Sequence, residues 1–241
     1  MKKINFTEDA FGHALWDAYN GKFTFEIMER NDGWIAAQPA YYYFLDFENW
    51  WPHQQKAIKH VKGKVLDIGC GPAMHAVYLQ SQRLDVLGID VSRLAIKIAK
   101  MRGLQKAKVL SIDDVGRLRT KFDTILLLGN NWGLMRNLTR ARKVLDDLYK
   151  ITSDEALIIA ESYSSKQSPH HLKYQRENFK NGRLPGQERV RIRYNLYCSQ
   201  WFDFLFSTTE EIELILKGTG WSVRKYFQSG QSKFIAIIYK G

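Results

Sequence analysis

From Val61 onward, short apolar runs alternate with segments whose apolar residues recur at helical spacing. Val65–Ile68 is the first run, and Ala73–Gln80 follows with Ala73, Ala76, Val77 and Leu79 at helix period. Leu84–Ile89 reads as a strand and Ser92–Met101 as a helix, with Ser92 placed to cap it. Lys108–Ile112 is a third strand. FDTILLL, Phe122–Leu128, is apolar almost throughout, as a strand buried on both faces must be. Leu138–Tyr149 carries Leu138, Ala141, Val144, Leu145 and Leu148 on one helical stripe, and Ala156–Ala160 is a fifth strand. This β-α alternation predicts an α/β fold, a doubly wound parallel sheet with helices on both faces. The end of the chain departs from it. Thr208–Lys217 opens with an N-cap and two early glutamates and stops at Gly218-Thr219-Gly220. Trp221–Phe227 and Lys233–Tyr239 then flank the short connector Gln228-Ser229-Gly230-Gln231-Ser232, which predicts an antiparallel hairpin.

Two segments lie outside this pattern. Residues 1–60 are aromatic-rich (AYYYFLDFENWWP) and are expected to form a mostly helical cap. Residues 162–207 form a long insertion after the fifth strand, and loops of that length usually cover a site or carry structure of their own. With 241 residues, one elaborated domain is expected, 1–241, comprising the cap (1–60), a core (61–161), the insertion (162–207) and a terminal helix and hairpin (208–241).

Composition narrows the class. The opening MKKINFTEDAFGH has two lysines but no apolar run behind them, so no signal peptide is expected there. No window approaches the roughly 18 apolar residues of a membrane span. The only cysteines, Cys70 and Cys198, have no CxxC spacing, so neither a disulfide framework nor a zinc cluster is indicated. A cytoplasmic protein, monomeric or homodimeric and without a membrane partner, is the expectation. The formal charge of +11 is unevenly spread: residues 93–121 hold 9 Lys/Arg against 2 Asp/Glu, and residues 166–193 hold 8 against 2. Such surfaces attract anionic partners, nucleic acid included, or simply keep a protein soluble.

The chemistry starts at KVLDIGCGPAMHAVYL. Gly69 and Gly71 permit backbone angles that a side chain forbids, and the helix after them aims its free N–H groups at the same space. In doubly wound sheets ligands bind at the carboxyl ends of the strands. Asp90 ends the second strand, 21 residues beyond Gly69, where an acid can accept hydrogen bonds from ribose hydroxyls. Asp113 and Asp114 follow the third strand, where a carboxylate or nearby backbone could meet an adenine amino group. A dinucleotide fingerprint, G-x-G-x-x-G, lacks its third glycine here, because Met74 stands in that place. Asp67, two residues before the first glycine, also suits a cationic ligand better than a pyrophosphate.

VLDIGCG, GIDVS, SIDDV and FDTILLLGNNWG, in that order, resemble the motifs of the class I S-adenosylmethionine-dependent methyltransferases, and the wider pattern, a YYYF-type segment before the core and an RxRY…WF segment after it, resembles bacterial members of unassigned substrate. The resemblance covers residues 61–161 and extends to the terminal hairpin. It implies a Rossmann-like seven-stranded sheet in the order 3-2-1-4-5-7-6 with the last strand antiparallel, S-adenosylmethionine as cofactor and S-adenosylhomocysteine as product. It also implies that Asp67, Gly69, Cys70 and Gly71 surround the methionine moiety and that Asp90, with Val91, meets the ribose. Asp113 and Asp114 would lie by the adenine, and Gly129 and Asn130 would line the methyl-transfer site. Nucleic-acid amino-methyltransferases carry a (D/N)PPY-like sequence where this chain has Gly129-Asn130-Asn131-Trp132, which disfavours that subclass. Metal-dependent catechol-type enzymes need several acids around the fourth and fifth strands. Only Glu161 stands there, so no metal is expected.

Methyl transfer is an in-line displacement in which a base is needed only when the acceptor must lose a proton. The candidate bases are His75, Glu161, Tyr163 and His171, the last beside His170. For the acceptor, Tyr42, Tyr43 and Trp51 read as an aromatic lid that excludes water. Arg183, Arg191 and Arg193 read as contacts to an anionic acceptor, the last two projecting to one face of a strand. Each of these residues has a packing or surface role as its plain alternative. Three functions follow: methyl transfer to a small molecule, methyl transfer to RNA or protein through the basic surfaces, and a non-catalytic cofactor-binding module.

Overall fold

A computed structural model describes residues 6–164, 168–230 and 232–241. The residues 1–5 of the leader reading, residues 165–167 of the insertion and its basic stretch, and Gln231 of the hairpin connector lie outside them. The chain starts with helix α1 (Ala10–Tyr19), a hairpin of β1 (Phe25–Arg30) and β2 (Ile35–Pro39), and a short helix α2 (Pro52–Ala57). The alternation follows as β3 (Val65–Ile68), α3 (Met74–Ser81), β4 (Val86–Asp90), α4 (Arg93–Met101) and β5 (Lys106–Val109). It continues through β6 (Phe122–Leu127), α5 (Leu138–Lys150) and β7 (Thr152–Tyr163). The insertion contributes α6 (Pro169–Lys180), β8 (Gln187–Tyr194), β9 (Tyr197–Cys198) and β10 (Phe202–Leu205). Helix α7 (Thr209–Leu216) and the hairpin β11 (Trp221–Ser229) and β12 (Lys233–Lys240) close the chain.

The large sheet runs β5-β4-β3-β6-β7-β12-β11, the order that the motif resemblance implies. Strand β4 is parallel to β5 and β6 to β7, whereas β12 is antiparallel to both β7 and β11. A second sheet, β10-β8-β1-β2 with β9 beside β8, is new. The first sixty residues are therefore helical only in part. FEIMER hides its strand character because its polar residues are the ones that face inward: Glu26 and Arg30 are buried while Phe25 is exposed. Arg30 tolerates that burial because Asp32 takes its guanidinium in two hydrogen bonds of 2.8 and 2.9 Å.

The chain divides into two compact units. The first comprises Met1–Trp50, Leu66–Ser111 and Arg189–Phe202. Its helical core joins Leu15 of α1 to Ala95 and Ile98 of α4, with Phe11, Trp16, Tyr19, Tyr43 and Phe44 packed around them. The N-termini of both helices meet in one network. Asp9 caps α1 by accepting the Gly12 N–H at 2.9 Å, and Ser92 caps α4 by accepting that of Ala95 at 3.0 Å. The Ser92 hydroxyl then donates to the other oxygen of Asp9 at 2.8 Å.

The second unit comprises Trp51–Val65, Ile112–Glu188 and Asp203–Gly241. Its centre is β7, flanked by β6 and β12, with Ile125, Leu127, Ile158, Ile159, Ile235 and Ile237 all fully buried. The α5 stripe read from the sequence is buried too, at Ala141, Val144, Leu145 and Leu148. Thr208 and Glu211 form a capping box at the start of α7, as the early glutamates suggest. Trp132, fully buried, donates its indole N–H to Ser207 at 3.0 Å.

Gly12 is the tight point of the first unit, because a Cβ there would collide with Ser92 Oγ and both carboxylate oxygens of Asp9. The helix backbone accepts alanine readily, so only this collision opposes it. Gly12→Ala should therefore destabilise the protein by about 1–3 kcal/mol, the usual range for overpacking. Urea denaturation measures this, and a neutral or stabilising alanine would refute the network as drawn.

Candidate active site

In the first unit, the turn after β3 is left-handed at Gly69, Gly71 and Ala73, with φ of +70°, +54° and +66°. Alanine rarely adopts that conformation, so something must hold the turn in shape. The Gly69 and Cys70 N–H groups donate to Ile89 O at 2.8 and 3.0 Å. The Gly71 N–H donates to one oxygen of Asp90 at 3.0 Å, and the Ser92 N–H to the other at 2.8 Å. Asp90 is thus fixed by backbone at the end of β4, with lone-pair capacity left for further donors. Val91 beside it is exposed, and Cys70 is buried.

Asp67 has no such support. It is 2% exposed and its Oδ2 is buried without a hydrogen-bond partner. Burial, then the charge of Asp90, pushes its carboxyl up to about 7. Burial likewise raises Asp90 to about 6 against the N–H groups of Ser92 and Gly71 that favour its charge. A buried carboxylate oxygen without a donor, beside a turn that is open at Gly71, fits a ligand with a cationic group. The cradle is open as well: a Cβ on Gly71 would meet only Phe11, at 3.8 Å.

The other expected residues of this unit have definite partners. His75 packs edge-on against Trp50, ring centroids 4.6 Å apart. Tyr42 is exposed against Tyr41. Tyr43 donates its hydroxyl to Glu26 at 2.6 Å, and burial raises that carboxyl to about 7. Arg191 and Arg193 do share a face, but both reach Glu29, at 2.9 and 3.1 Å, and Arg191 also stacks on Trp201.

In the second unit, Asp113 pairs with Arg140, and Asp114 with Arg117 at 3.0 Å. Glu161, near the end of β7, is 3% exposed and accepts three donors. These are His53 Nε2 at 2.9 Å, Gln54 Nε2 at 2.8 Å and the Gly129 N–H at 2.7 Å. Burial alone would raise the Glu161 carboxyl, but the hydrogen bond and charge interaction with His53, then the hydrogen bonds from Gln54 and Gly129, hold it below the ordinary range. Gly129 and Asn130 are both left-handed, and the Asn130 Oδ1 is buried without a hydrogen-bond partner. Tyr163 is half-buried near Phe206, with burial raising its hydroxyl. His171 is buried and bonded to Ser168 at 2.8 Å, while its neighbour His170 is exposed. Trp51 is exposed under the Lys233 ammonium, and Arg183 reaches Asp203 at 3.4 Å. Among the described residues, no group of three or more His, Cys, Asp or Glu is placed to hold a metal ion. No described helix is long and apolar enough to cross a membrane.

His53 and Gln54 are absent from the sequence reading. Their one local signal is Pro52, a favoured first residue of a helix, which marks HQQ as helical. Their partner Glu161 is 108 residues away from His53, a distance no local pattern spans.

Residues 65–155 match the family model described as a methyltransferase domain. No curated protein matches the chain. Among solved structures, an S-adenosylmethionine-dependent methyltransferase of Bacteroides fragilis, in complex with S-adenosyl-L-homocysteine, superposes with a TM-score of 0.83. It is 20% identical, over 98% of this chain and 97% of its own. A second such enzyme, from Methanosarcina mazei, has a TM-score of 0.61 at 17% identity, over 81% and 99% of the two chains. An amino pentose methyltransferase of calicheamicin biosynthesis, from Micromonospora echinaspora, has a TM-score of 0.51 at 13% identity, over 81% and 94%.

Asp67 makes a prediction that needs no ligand. Its folded pKa lies above the ordinary 3.8, so the native state holds a proton that the unfolded state releases. Its contribution to stability is therefore lost as pH rises from about 4 to about 7, at about 1.4 kcal/mol per pKa unit. Asp67→Asn should raise the urea midpoint of the ligand-free protein at pH 8 and leave it little changed at pH 4. Equal midpoints for the two proteins at pH 8 would show that the carboxylate is not strained.

Proposed function

We propose that this chain, which carries a methyltransferase domain on the class I fold, moves a methyl group from S-adenosylmethionine to a small-molecule acceptor by in-line displacement, without a metal. The observation that carries the reading is Asp67, a buried carboxylate with one oxygen unpartnered beside the Gly69–Gly71 turn. When bound, S-adenosylmethionine supplies an electrophilic methyl carbon on a positively charged sulfur, together with a cationic amino group. Asp67 would neutralise the cationic end. The turn of Gly69, Cys70 and Gly71 would let the ligand approach the main chain, and Asp90, with Val91 beside it, would accept the ribose hydroxyls. Positioning and exclusion of water are what the protein adds to such a displacement.

A small acceptor is favoured over RNA because the basic stretches carry less free charge than their composition suggests. Arg117, Arg183, Arg191, Arg193 and Lys106 are all paired with acids. The amino pentose enzyme, whose substrate is small, supports the same choice.

Calorimetry with S-adenosylhomocysteine, which keeps the cationic amino group, tests the site. The wild-type protein should bind it, and Asp90→Ala should weaken binding at least tenfold, about 1.4 kcal/mol. Asp67→Asn should also weaken binding while stabilising the ligand-free fold, and that opposition separates a lost contact from a damaged protein. Unchanged affinity in both variants would sink the assignment.

A further inference from the structure

In the first unit, the β1–β2 hairpin ends its sheet on an open edge. Arg30 N–H donates to Trp34 O at 2.8 Å, and Ala40 N–H to Thr24 O at 2.9 Å. The register between them pairs Glu26 with Gln38 and Met28 with Ala36, so the even-numbered residues of β1 and β2 bond each other. The other side of β1 keeps the same parity. Its odd-numbered residues face β8, and Asn31 N–H donates to Arg189 O at 3.0 Å. In β2, Ile35, Ala37 and Pro39 therefore aim their backbone groups away from β1, and among the described residues no strand lies there. Ile35 and Ala37 are both exposed. Open edges are normally guarded by a charge, yet residues 33–45 carry none, in a chain of net charge +11. The side chains beside the edge are apolar as well. Ile35 and Ala37 share a sheet face with exposed Phe25, against which exposed Phe23 packs edge-on at 5.0 Å, and Phe23 also stacks on exposed Tyr41.

We propose that a second copy of this chain pairs with this edge, β2 against β2, antiparallel about a two-fold axis at Ala36, so that the protein is a homodimer. The proposal is independent of the methyl-transfer reading. With the axis at Ala36, Ile35 of each copy stands opposite Ala37 of the other in a hydrogen-bonded pair. Every outward N–H of Ile35 and Ala37 then donates, and every outward carbonyl of the two accepts. An axis at Ala37 serves less well, because it sets Ile35 opposite Pro39, which has no N–H to return. Side-chain size agrees with the first choice: bulky Ile35 lies beside small Ala37 across the seam, and the symmetry repeats the contact. Charge selects the partner. Two copies of a chain with net charge +11 repel over much of their surface, and residues 33–45 let them meet without like charges in contact. An acidic partner would be drawn to the basic stretches instead. A strand pairing this short buries little area, so the dimer is a weak one that forms at micromolar concentrations.

Sedimentation of the full chain from about 1 to about 200 µM, a range that reaches small interfaces, should show monomer passing into dimer. Ala37→Pro removes an outward N–H and no bond to β1, and an edge strand tolerates proline at such a position. It should raise the dissociation constant at least about tenfold and leave the urea midpoint little changed. Ile35→Lys puts a charge on the seam without touching the backbone, and should do the same. A protein that stays monomeric at about 200 µM overturns the proposal, as does a dimer that both variants leave intact. Hydrogen exchange reads the parity directly. The Ala36 and Gln38 amides should be protected at every concentration, whereas those of Ile35 and Ala37 should exchange fast in dilute solution and slowly in concentrated solution. A dimer whose Ile35 and Ala37 amides stay fast is joined through another face and refutes the β2 pairing.

Discussion

The carboxylate of Asp90 accepts one N–H from the glycine turn after β3 and another from the start of the loop into α4. The first of these bonds, with those of Gly69 and Cys70 to Ile89 O and of Ala73 to Cys70 O, holds the left-handed turn in shape. The second fixes Ser92, whose hydroxyl caps α4 and donates to the cap of α1. The first helix of the chain is thereby registered against the β3 turn through four hydrogen bonds of ordinary length. Both N–H groups favour the charged form of Asp90, and each offsets part of the burial that opposes that charge.

Two buried carboxylates show how donors, not depth, decide what an acid becomes. Asp67 and Glu161 are 2% and 3% exposed. Glu161 has donors on both oxygens and is held ionised, a fixed charge. Asp67 has an oxygen without a donor and rises to about 7, so its charge awaits a cation. Burial is similar in both, so the difference comes from the neighbours: hydrogen bonds and the charge of His53 at Glu161, and the like charge of Asp90 at Asp67. The first arrangement suits an orienting role and the second a binding role.

Much of the fold was legible because its signals are local. The apolar run of β6, the stripe on α5, the Ser92 cap and the glutamates of α7 each declare an element within a dozen residues. The strand order was legible only through the motif resemblance, since periodicity says nothing about which strands are neighbours. The β1–β2 hairpin was missed because Glu26 and Arg30 point inward and Phe25 outward, against the usual pattern. At the candidate site, Gly69, Gly71, Asp67 and Asp90 could be singled out by type and spacing. His53 could not, since its meaning comes from a carboxylate on a strand far along the chain. For Arg191 and Arg193 the spacing gave the shared face, but not their pairing with Glu29 on a neighbouring strand.

Cys70 sits in the middle of the glycine turn, with its sulfur so close to Gly88 that a Cβ on that glycine would lie 2.9 Å from it. Burial, then the charges of Asp67 and Asp90, raises its thiol well above the usual range. Oxidants and alkylating agents act on the thiolate, which this turn suppresses while it is closed. The only other thiol, Cys198, is half-buried. The protein thus contains its own stopwatch: the rate at which Cys70 becomes alkylated, read against Cys198, times the transient opening of the turn in native solution.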